Sequence, residues 1–228
     1  MAEPGRVHES LRAAIRDYRL LLDRGYPVKA TVQLVGDRHR LERTERIILF
    51  RGVLDGTLSA LIRSHTIASL TGEASMAVDG YNVLFTLANY LKGHPLFVGT
   101  DGLLRDAGGA HGRFGTEEAF LTAAGMMVDR LAGLKLRMAS IYLDAPVSAS
   151  GKHAAALREL CSRALVPVEV EVVPSADPFV RDHGGNAVAT ADSAIAASSC
   201  CPVFDLARDI LERRFGASFP DLAAMCDD

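Results

Sequence analysis

Four aspartates stand just after apolar runs, where their carboxylates could work together. Asp79 closes MAVD, Asp144 closes IYLD, Asp192 closes VATAD, and Asp177 follows VEVEVV after a short turn. Clustered carboxylates repel one another and raise one another's pKa values, a conflict that a hard divalent cation such as Mg²⁺ or Mn²⁺ removes. Such sites hydrolyse phosphodiesters, so the pattern predicts a metal site at these four residues, with Asp79, Asp144 and Asp192 as its catalytic members. Each aspartate could equally be a turn former or a helix cap.

The region that must position these aspartates, residues 74–228, alternates between strand-like and helix-like segments. The strand-like runs are MAVDGY, PLFVG, ASIYLDA, VPVEVEVV, NAVATAD and CPVFDL. Helical patterns lie between several of them, at 116–134, in SGKHAAALRELCSRAL and at 207–215. This alternation predicts a three-layer α/β/α domain with a mostly parallel, Rossmann-like sheet. Functional groups gather at the carboxyl ends of parallel strands, so we expect the aspartates to converge on one edge.

A small all-helical domain is predicted for residues 1–55, followed by a connector at 56–73. Leu11, Ile15 and Tyr18 fall on one stripe at helical spacing, and two further apolar sets follow. Residues 1–55 hold 11 Lys and Arg against 8 Asp and Glu, whereas the remainder holds 14 against 20. A basic helical unit could contact nucleic acid, or it could simply pack against the rest of the protein.

The segment that opens the helix SGKHAAALRELCSRAL is a candidate phosphate-binding site. Ser148, Ser150 and Lys152 stand at its start, where the free N–H groups of a helix N-terminus attract phosphate. A Walker A loop is excluded because Pro146 stands where glycine is needed and His153 where Ser or Thr is needed.

The polar loop DGLLRDAGG is a further candidate. Arg105 could hold a phosphate, and Asp101 and Asp106 could supply accessory metal ligands. A surface turn with a helix cap is the alternative interpretation of this loop.

The segment AVDGYNVL is similar to the first strand of the NYN-domain proteins, within the PIN-like nuclease superfamily, where a catalytic aspartate precedes Gly-Tyr-Asn. IYLDA, SADPFV and VATADSAI follow in that superfamily's order. The resemblance covers about residues 74–205, and it implies metal-binding or catalytic roles for four aspartates and a substrate- or water-orienting role for an asparagine. These residues are Asp79, Asp144, Asp177, Asp192 and Asn82.

The whole chain also resembles an uncharacterised prokaryotic family that joins a short helical, arginine-rich N-terminal domain to a PIN-like domain. Two residues depart from the NYN pattern: Pro178 replaces the second acid of a pair, and Ala191 stands where serine is commoner. The number of metal ions is therefore open.

We accordingly expect a metal-dependent ribonuclease that uses Mg²⁺ or Mn²⁺. Two alternatives remain: a non-catalytic RNA-binding or adaptor protein on the same scaffold, and a small-molecule phosphatase or nucleotidase. A phosphatase that forms an aspartyl-phosphate needs a D-x-D pair at the first strand, and this chain has none there, since Gly80 and Tyr81 follow Asp79.

Composition limits the classes of binding partner and the cellular compartment that we expect. A net charge of −3 excludes a generally polycationic nucleic-acid binder, and no apolar stretch approaches the roughly 18 residues that span a bilayer. Four cysteines without C-x-x-C spacing predict reduced thiols, so we expect a cytoplasmic protein. RNA is the partner that the resemblance to the NYN proteins implies. A homodimer remains open.

Overall fold

A computed structural model describes residues 9–70, 72–108 and 114–226. Its α-helices are α1 (Glu9–Asp23), α2 (Val28–Arg38), α3 (Arg43–Gly52), α4 (Gly56–His65), α5 (Gly80–Leu91), α6 (Glu117–Leu134), α7 (Ser150–Arg163), α8 (Asp177–Arg181), α9 (Ser193–Ser198) and α10 (Leu206–Phe215). Its strands are β1 (Thr66–Ile67), β2 (Ser75–Asp79), β3 (Leu96–Val98), β4 (Leu104–Asp106), β5 (Met138–Asp144), β6 (Val168–Val173), β7 (Ala187–Ala189) and β8 (Val203–Phe204). Among these described residues, no helix combines the length and apolar character that crossing a bilayer requires.

The chain divides into two compact units, each assembled from segments distant in sequence. The first unit contains the described parts of Met1–Ser64, His94–Gly108 and Ser218–Asp228. The second contains those of His65–Gly93 and Gly109–Ala217. The segment 56–73, predicted to be a connector, holds α4 and β1.

The first unit is helical, with a small hairpin. Ile15 and Tyr18 of α1 are fully buried, as the apolar stripe predicts, and Phe97 and Leu222 from two later segments join the same core. The PLFVG run forms β3, which pairs antiparallel with β4 in a separate two-stranded sheet. The expectation that this run joins the main sheet is therefore wrong, because its pairing partner is the neighbouring β4.

The second unit is the predicted α/β domain. Its six strands lie in the order β1-β8-β7-β2-β5-β6, and every neighbouring pair is parallel. From β2 the chain moves outward to β5 and β6, and it then returns to β7 and β8 on the other side of β2. The strand order thus reverses between β2 and β7, and such a switch point is where open α/β sheets bind ligands.

The two faces of this sheet are covered unequally. Helix α5 packs closely on the face that carries Leu143, since a Cβ atom on Gly80 would lie 2.6 Å from Leu143 Cδ2. Side chains alternate along a strand, so Tyr142 and Asp144 belong to the opposite face, where both are half-buried. That face is reached by the five-residue α8, whose Phe179 ring contacts Tyr142.

Candidate active site

The four predicted aspartates lie at the carboxyl edge of four neighbouring strands. Asp79 ends β2, Asp144 ends β5, Asp177 begins α8 after β6, and Asp192 caps α9 after β7. Because β7, β2, β5 and β6 are adjacent and parallel, these strand ends share one edge of the sheet. The structure therefore brings the four residues together at the switch point, as the sequence predicts.

Asp79 is the buried member of this group, with 6% of its surface exposed. Its Oδ2 accepts a hydrogen bond from Thr190 Oγ1 at 3.0 Å, and its Oδ1 accepts one from the backbone N–H of Asn82 at 3.3 Å. Burial raises the pKa of Asp79 to about 7; the two hydrogen bonds oppose this rise, and the charges of Asp144 and Asp192 add to it. The carboxyl group therefore exchanges its proton near neutral pH.

The other three aspartates are more exposed and also serve the local backbone. Asp144 Oδ1 accepts a hydrogen bond from the N–H of Ala176 at 2.9 Å, and Asp192 Oδ1 accepts one from the N–H of Ala194 at 2.8 Å. The pKa of the exposed Asp177 is raised by desolvation and then by the charges of Asp192 and Asp144. Helix capping accounts for the placement of Asp192 alone, and the Asp144 bond joins the end of β5 to the start of α8.

Asn82 and Thr190 tie together the two sides of the switch point. Asn82 Oδ1 accepts a hydrogen bond from the N–H of Ala191 at 2.8 Å, which fastens the start of α5 to the loop after β7. Thr190 Oγ1, besides donating to Asp79, accepts from the N–H of Asp192 at 3.1 Å. Sequence analysis missed Thr190, although its place two residues before Asp192 in VATAD was a usable signal. The substrate-orienting role of Asn82 stays a prediction.

A cleft of about 320 Å³ opens beside the start of α7. Ser148, Lys152 and His153 line it. His153 Nδ1 is 2.9 Å from the hydroxyl oxygen of Tyr81, and burial together with the Asp144 carboxylate raises the pKa of Tyr81. The cleft is thus linked to the aspartates through the pair of Tyr81 and His153.

Two residues at the start of α7 differ in what they offer a ligand. Lys152 is exposed beside the cleft, so its ammonium group is available to an anion. Ser150 is buried, and its hydroxyl donates a hydrogen bond to the carbonyl of Ala145 at 3.2 Å. The phosphate-binding prediction for this segment is therefore carried by Ser148 and Lys152 more than by Ser150.

The structure places Arg105, Asp101 and Asp106 in the first unit, on the β3–β4 hairpin. Arg105 donates from both terminal nitrogens to the Asp101 carboxylate at 2.7 and 2.6 Å, and both side chains are buried. Asp106 pairs with Arg51 at 3.3 Å. The Arg105–Asp101 pair braces the hairpin internally, and the Arg51–Asp106 pair joins it to α3. The phosphate and metal roles predicted for the three residues stay predictions.

The four aspartates lie along one edge of the sheet, but they are not arranged as a set of ligands that surrounds one metal ion. Across residues 9–70, 72–108 and 114–226, no group of three or more His, Cys, Asp or Glu side chains is placed to hold one metal ion. All four cysteines are free thiols, and none lies among the aspartates.

Comparisons with known proteins identify the family. A family model described as "Domain of unknown function (DUF5616)" matches residues 67–209, and one described as "Protein of unknown function (DUF434)" matches residues 10–65. The "Uncharacterized protein MJ0935" of Methanocaldococcus jannaschii is 27% identical over 206 residues, which cover 89% of this chain and 97% of the relative. No solved structure matches. None of these descriptions mentions a nuclease, so the PIN-like resemblance stays a prediction, but the first match spans more than half of the chain. The chain therefore belongs to the DUF5616 family.

Proposed function

We propose that this protein is a metal-dependent ribonuclease whose active site is the aspartate group at the switch point. The observation that supports this most is the buried Asp79, with a pKa raised to about 7, beside the carboxylates of Asp144 and Asp192. A buried carboxyl group next to like charges costs free energy, and a divalent cation would turn that cost into binding free energy. The parallel strands deliver all of these groups to the edge where open α/β sheets bind ligands.

The donor set fits Mg²⁺ or Mn²⁺, because hard cations prefer carboxylate oxygens. Mg²⁺ commonly takes one or two protein carboxylates and completes its shell with water and substrate phosphate oxygens, so a closed cage of three side chains is not required. The ion would take one or two ligands from among Asp79, Asp144, Asp177 and Asp192. When bound, the ion supplies Lewis-acid activation of the phosphodiester and neutralises the charge that develops on it.

The remaining side chains position the substrate. Lys152 offers a cation to a phosphate in the cleft beside α7, and Ser148 offers a hydroxyl in the same cleft. Thr190 and Asn82 hold Asp79 and the loop after β7 in place through the hydrogen bonds given above. The choice of RNA as substrate rests on the resemblance of DGYN to the NYN proteins and on the basic residues 1–55. We place the activity in the cytoplasm, in keeping with the four free thiols.

The test is cleavage of a labelled single-stranded RNA by purified protein in Mg²⁺, Mn²⁺ or EDTA. We expect cleavage with either ion and none in EDTA. Asp144→Asn should lower kcat at least about 100-fold, because asparagine can still accept the bond from Ala176 but carries no charge. Asp129→Asn, at an exposed aspartate of α6 that pairs with Arg214, is the matched control and should cleave normally. Cleavage in EDTA, or normal cleavage by Asp144→Asn, would contradict the proposal.

A non-catalytic RNA-binding role is the second candidate. It is favoured by the lack of a three-residue metal group among the described residues, and by the capping bonds that Asp79 and Asp192 make. In the same assay this role predicts RNA binding in EDTA and no cleavage with either ion. No comparable observation favours the small-molecule phosphatase.

A further inference from the structure

An aromatic pair lies beside the aspartates on the thinly covered face of the sheet. The rings of Tyr142 and Phe179 have centroids 5.1 Å apart and planes inclined by 30°. Phe179 is 43% exposed and Tyr142 is half-buried, so one ring is presented to solvent and supported from beneath by the other. Such an arrangement offers a flat apolar surface whose position is fixed by the fold.

Each ring of the pair belongs to an element that also carries one of the proposed active-site aspartates. Tyr142 precedes Asp144 by two residues on β5, which places both side chains on the same face of the sheet. Phe179 belongs to the same short helix as Asp177, and its ring reaches the β5 strand through its contact with Tyr142. A chain of nucleotides whose phosphate lies at Asp144 and Asp177 therefore has an adjoining base within reach of the two rings.

The charges around the rings exclude a phosphate and accept an uncharged base. Glu171 is the register partner of Tyr142 on the edge strand β6, and both it and the neighbouring Glu169 are exposed. Exposed carboxylates on this side of the sheet disfavour a phosphodiester, whereas aromatic faces stack with any nucleobase. The phosphates would follow the carboxyl edge, and a base would lie over the sheet face.

We propose that Phe179, backed by Tyr142, is the stacking platform for a nucleobase of single-stranded RNA next to the scissile phosphate. This inference rests on the proposed function for its substrate, and it makes Phe179 a substrate-positioning residue. Duplex RNA keeps its bases stacked inside the helix and cannot use such a platform. The site should therefore prefer single strands.

The chain contains a closely matched control. Phe215 is 44% exposed and contacts Tyr90, with ring centroids 5.2 Å apart and planes inclined by 37°. Helix α5 begins at the carboxyl edge of the sheet and runs back from it, so Tyr90 lies about 15 Å along the helix axis from Gly80. The control pair has the same geometry and exposure but stands away from the aspartates.

The experiment measures binding of a fluorescein-labelled single-stranded RNA by anisotropy in Ca²⁺, a cation that carboxylate oxygens bind and that shields the aspartates from the phosphates. Gel electrophoresis checks that the RNA stays intact. Phe179→Ala should weaken binding by about 5-fold to 150-fold, the loss that one stacked base entails. Phe215→Ala should bind within about 2-fold of wild type. Because the chain has no tryptophan, Phe179→Trp also supplies a single tryptophan, whose emission can be excited apart from that of the tyrosines. With unlabelled RNA this variant should retain affinity and be quenched, whereas Phe215→Trp should not respond. Circular dichroism melts confirm that all four variants fold.

The outcomes separate this inference from the nuclease proposal. Equal binding by Phe179→Ala and Phe215→Ala, no quenching of Phe179→Trp, or no RNA binding by wild type would each overturn the stacking platform. A loss of dimer mass in Phe179→Ala without loss of RNA binding would instead make the ring a protein contact. If Phe179→Ala weakens binding but wild type cleaves no RNA with Mn²⁺, the platform stands and the nuclease fails. If binding is unchanged and cleavage needs Asp144, the reverse holds.

Discussion

Replacing Asp79 by asparagine should stabilise the ion-free protein at pH 8 and abolish its response to divalent ions. The pKa of Asp79 is about 7 in the folded protein, against an ordinary value of 3.8, so the folded state holds the proton more tightly than the unfolded state. The stabilisation by the protonated form is therefore complete below about pH 4 and is lost as the pH rises through 7. Above about pH 7 the buried carboxylate is charged, and it lowers the free energy of unfolding by its full amount.

The size of that penalty follows from the difference between the two pKa values. At about 1.4 kcal/mol per pH unit, the interval from 3.8 to about 7 corresponds to about 4 kcal/mol at pH 8. Asparagine removes the charge, keeps an oxygen for the N–H of Asn82, and turns an amide toward Thr190 Oγ1. The Thr190 hydroxyl then loses its acceptor, which costs about 1 kcal/mol. The net gain is about 2 to 3 kcal/mol, or a rise in Tm of about 4 to 10 °C.

The assay is a set of thermal melts in EDTA at pH 4.5, 6 and 8, repeated with Mn²⁺. Relative to wild type, Asp79→Asn should be about equally stable at pH 4.5 and more stable at pH 8. At pH 4.5 the loss of about 1 kcal/mol with the Thr190 hydrogen bond is offset by a penalty of about 1 kcal/mol that ionisation of the unfolded wild type already imposes. Mn²⁺ should raise the Tm of wild type and leave the variant unchanged, because only the wild type binds the ion. Asp205→Asn is the control: Asp205 follows β8 and caps α10 by accepting from the N–H of Arg208 at 3.0 Å.

A Tm difference between Asp79→Asn and wild type that is the same at pH 4.5 and pH 8 would refute the reasoning, since it would show that the carboxyl group does not titrate in this interval. If Mn²⁺ does not change the Tm of wild type, the proposed metal binding is contradicted, while the argument from pH is unaffected. Asp205→Asn should keep the response to Mn²⁺. If it also loses that response, the response is not specific to the four aspartates of the proposed site.

Two further predictions concern the first unit. Arg105→Ala leaves the buried Asp101 carboxylate unpaired, so it should lower the free energy of unfolding by about 3 to 5 kcal/mol in a denaturant titration. Adding Asp101→Asn should restore part of the loss. A loss below about 1 kcal/mol would show that the pair is not buried in solution. Replacing the exposed Arg16 and Arg24 by glutamine should leave the Tm unchanged and weaken RNA binding. The slope of log Kd against log salt should fall by up to about 1.4. An unchanged slope would exclude these arginines from the RNA contact.

Deleting residues 1–55 would not test the role of the basic region. Phe97 and Leu222 pack in one core with Ile15 and Tyr18, so the deletion would expose apolar side chains that the remaining chain retains. Substitution of exposed arginines avoids this difficulty, because it changes charge and leaves the core intact.

The sequence by itself determined the elements whose signals are local. The stripe through Ile15 and Tyr18 predicted α1, and the helical pattern at 116–134 predicted α6. The Thr116 hydroxyl caps that helix by accepting from the N–H of Ala119 at 3.2 Å. The apolar runs that end in aspartates predicted parallel strands with carboxylates at one edge. Periodicity and capping depend on residues within one or two turns of the chain, so they can be read without the fold.

Only the tertiary structure decided what depends on contacts between distant residues. The run PLFVG has the same local pattern as the main strands, yet its pairing with β4 assigns it to the first unit. Arg105 has the chemistry of a phosphate ligand, but it lies buried against Asp101. The raised pKa of Asp79 arises mainly from burial and then from the charges of Asp144 and Asp192, which the fold brings from distant parts of the chain. The proposed platform of Phe179 depends on the contact that α8 makes with Tyr142. Burial, ion pairing and electrostatic coupling are properties of a three-dimensional neighbourhood, which no local sequence pattern specifies.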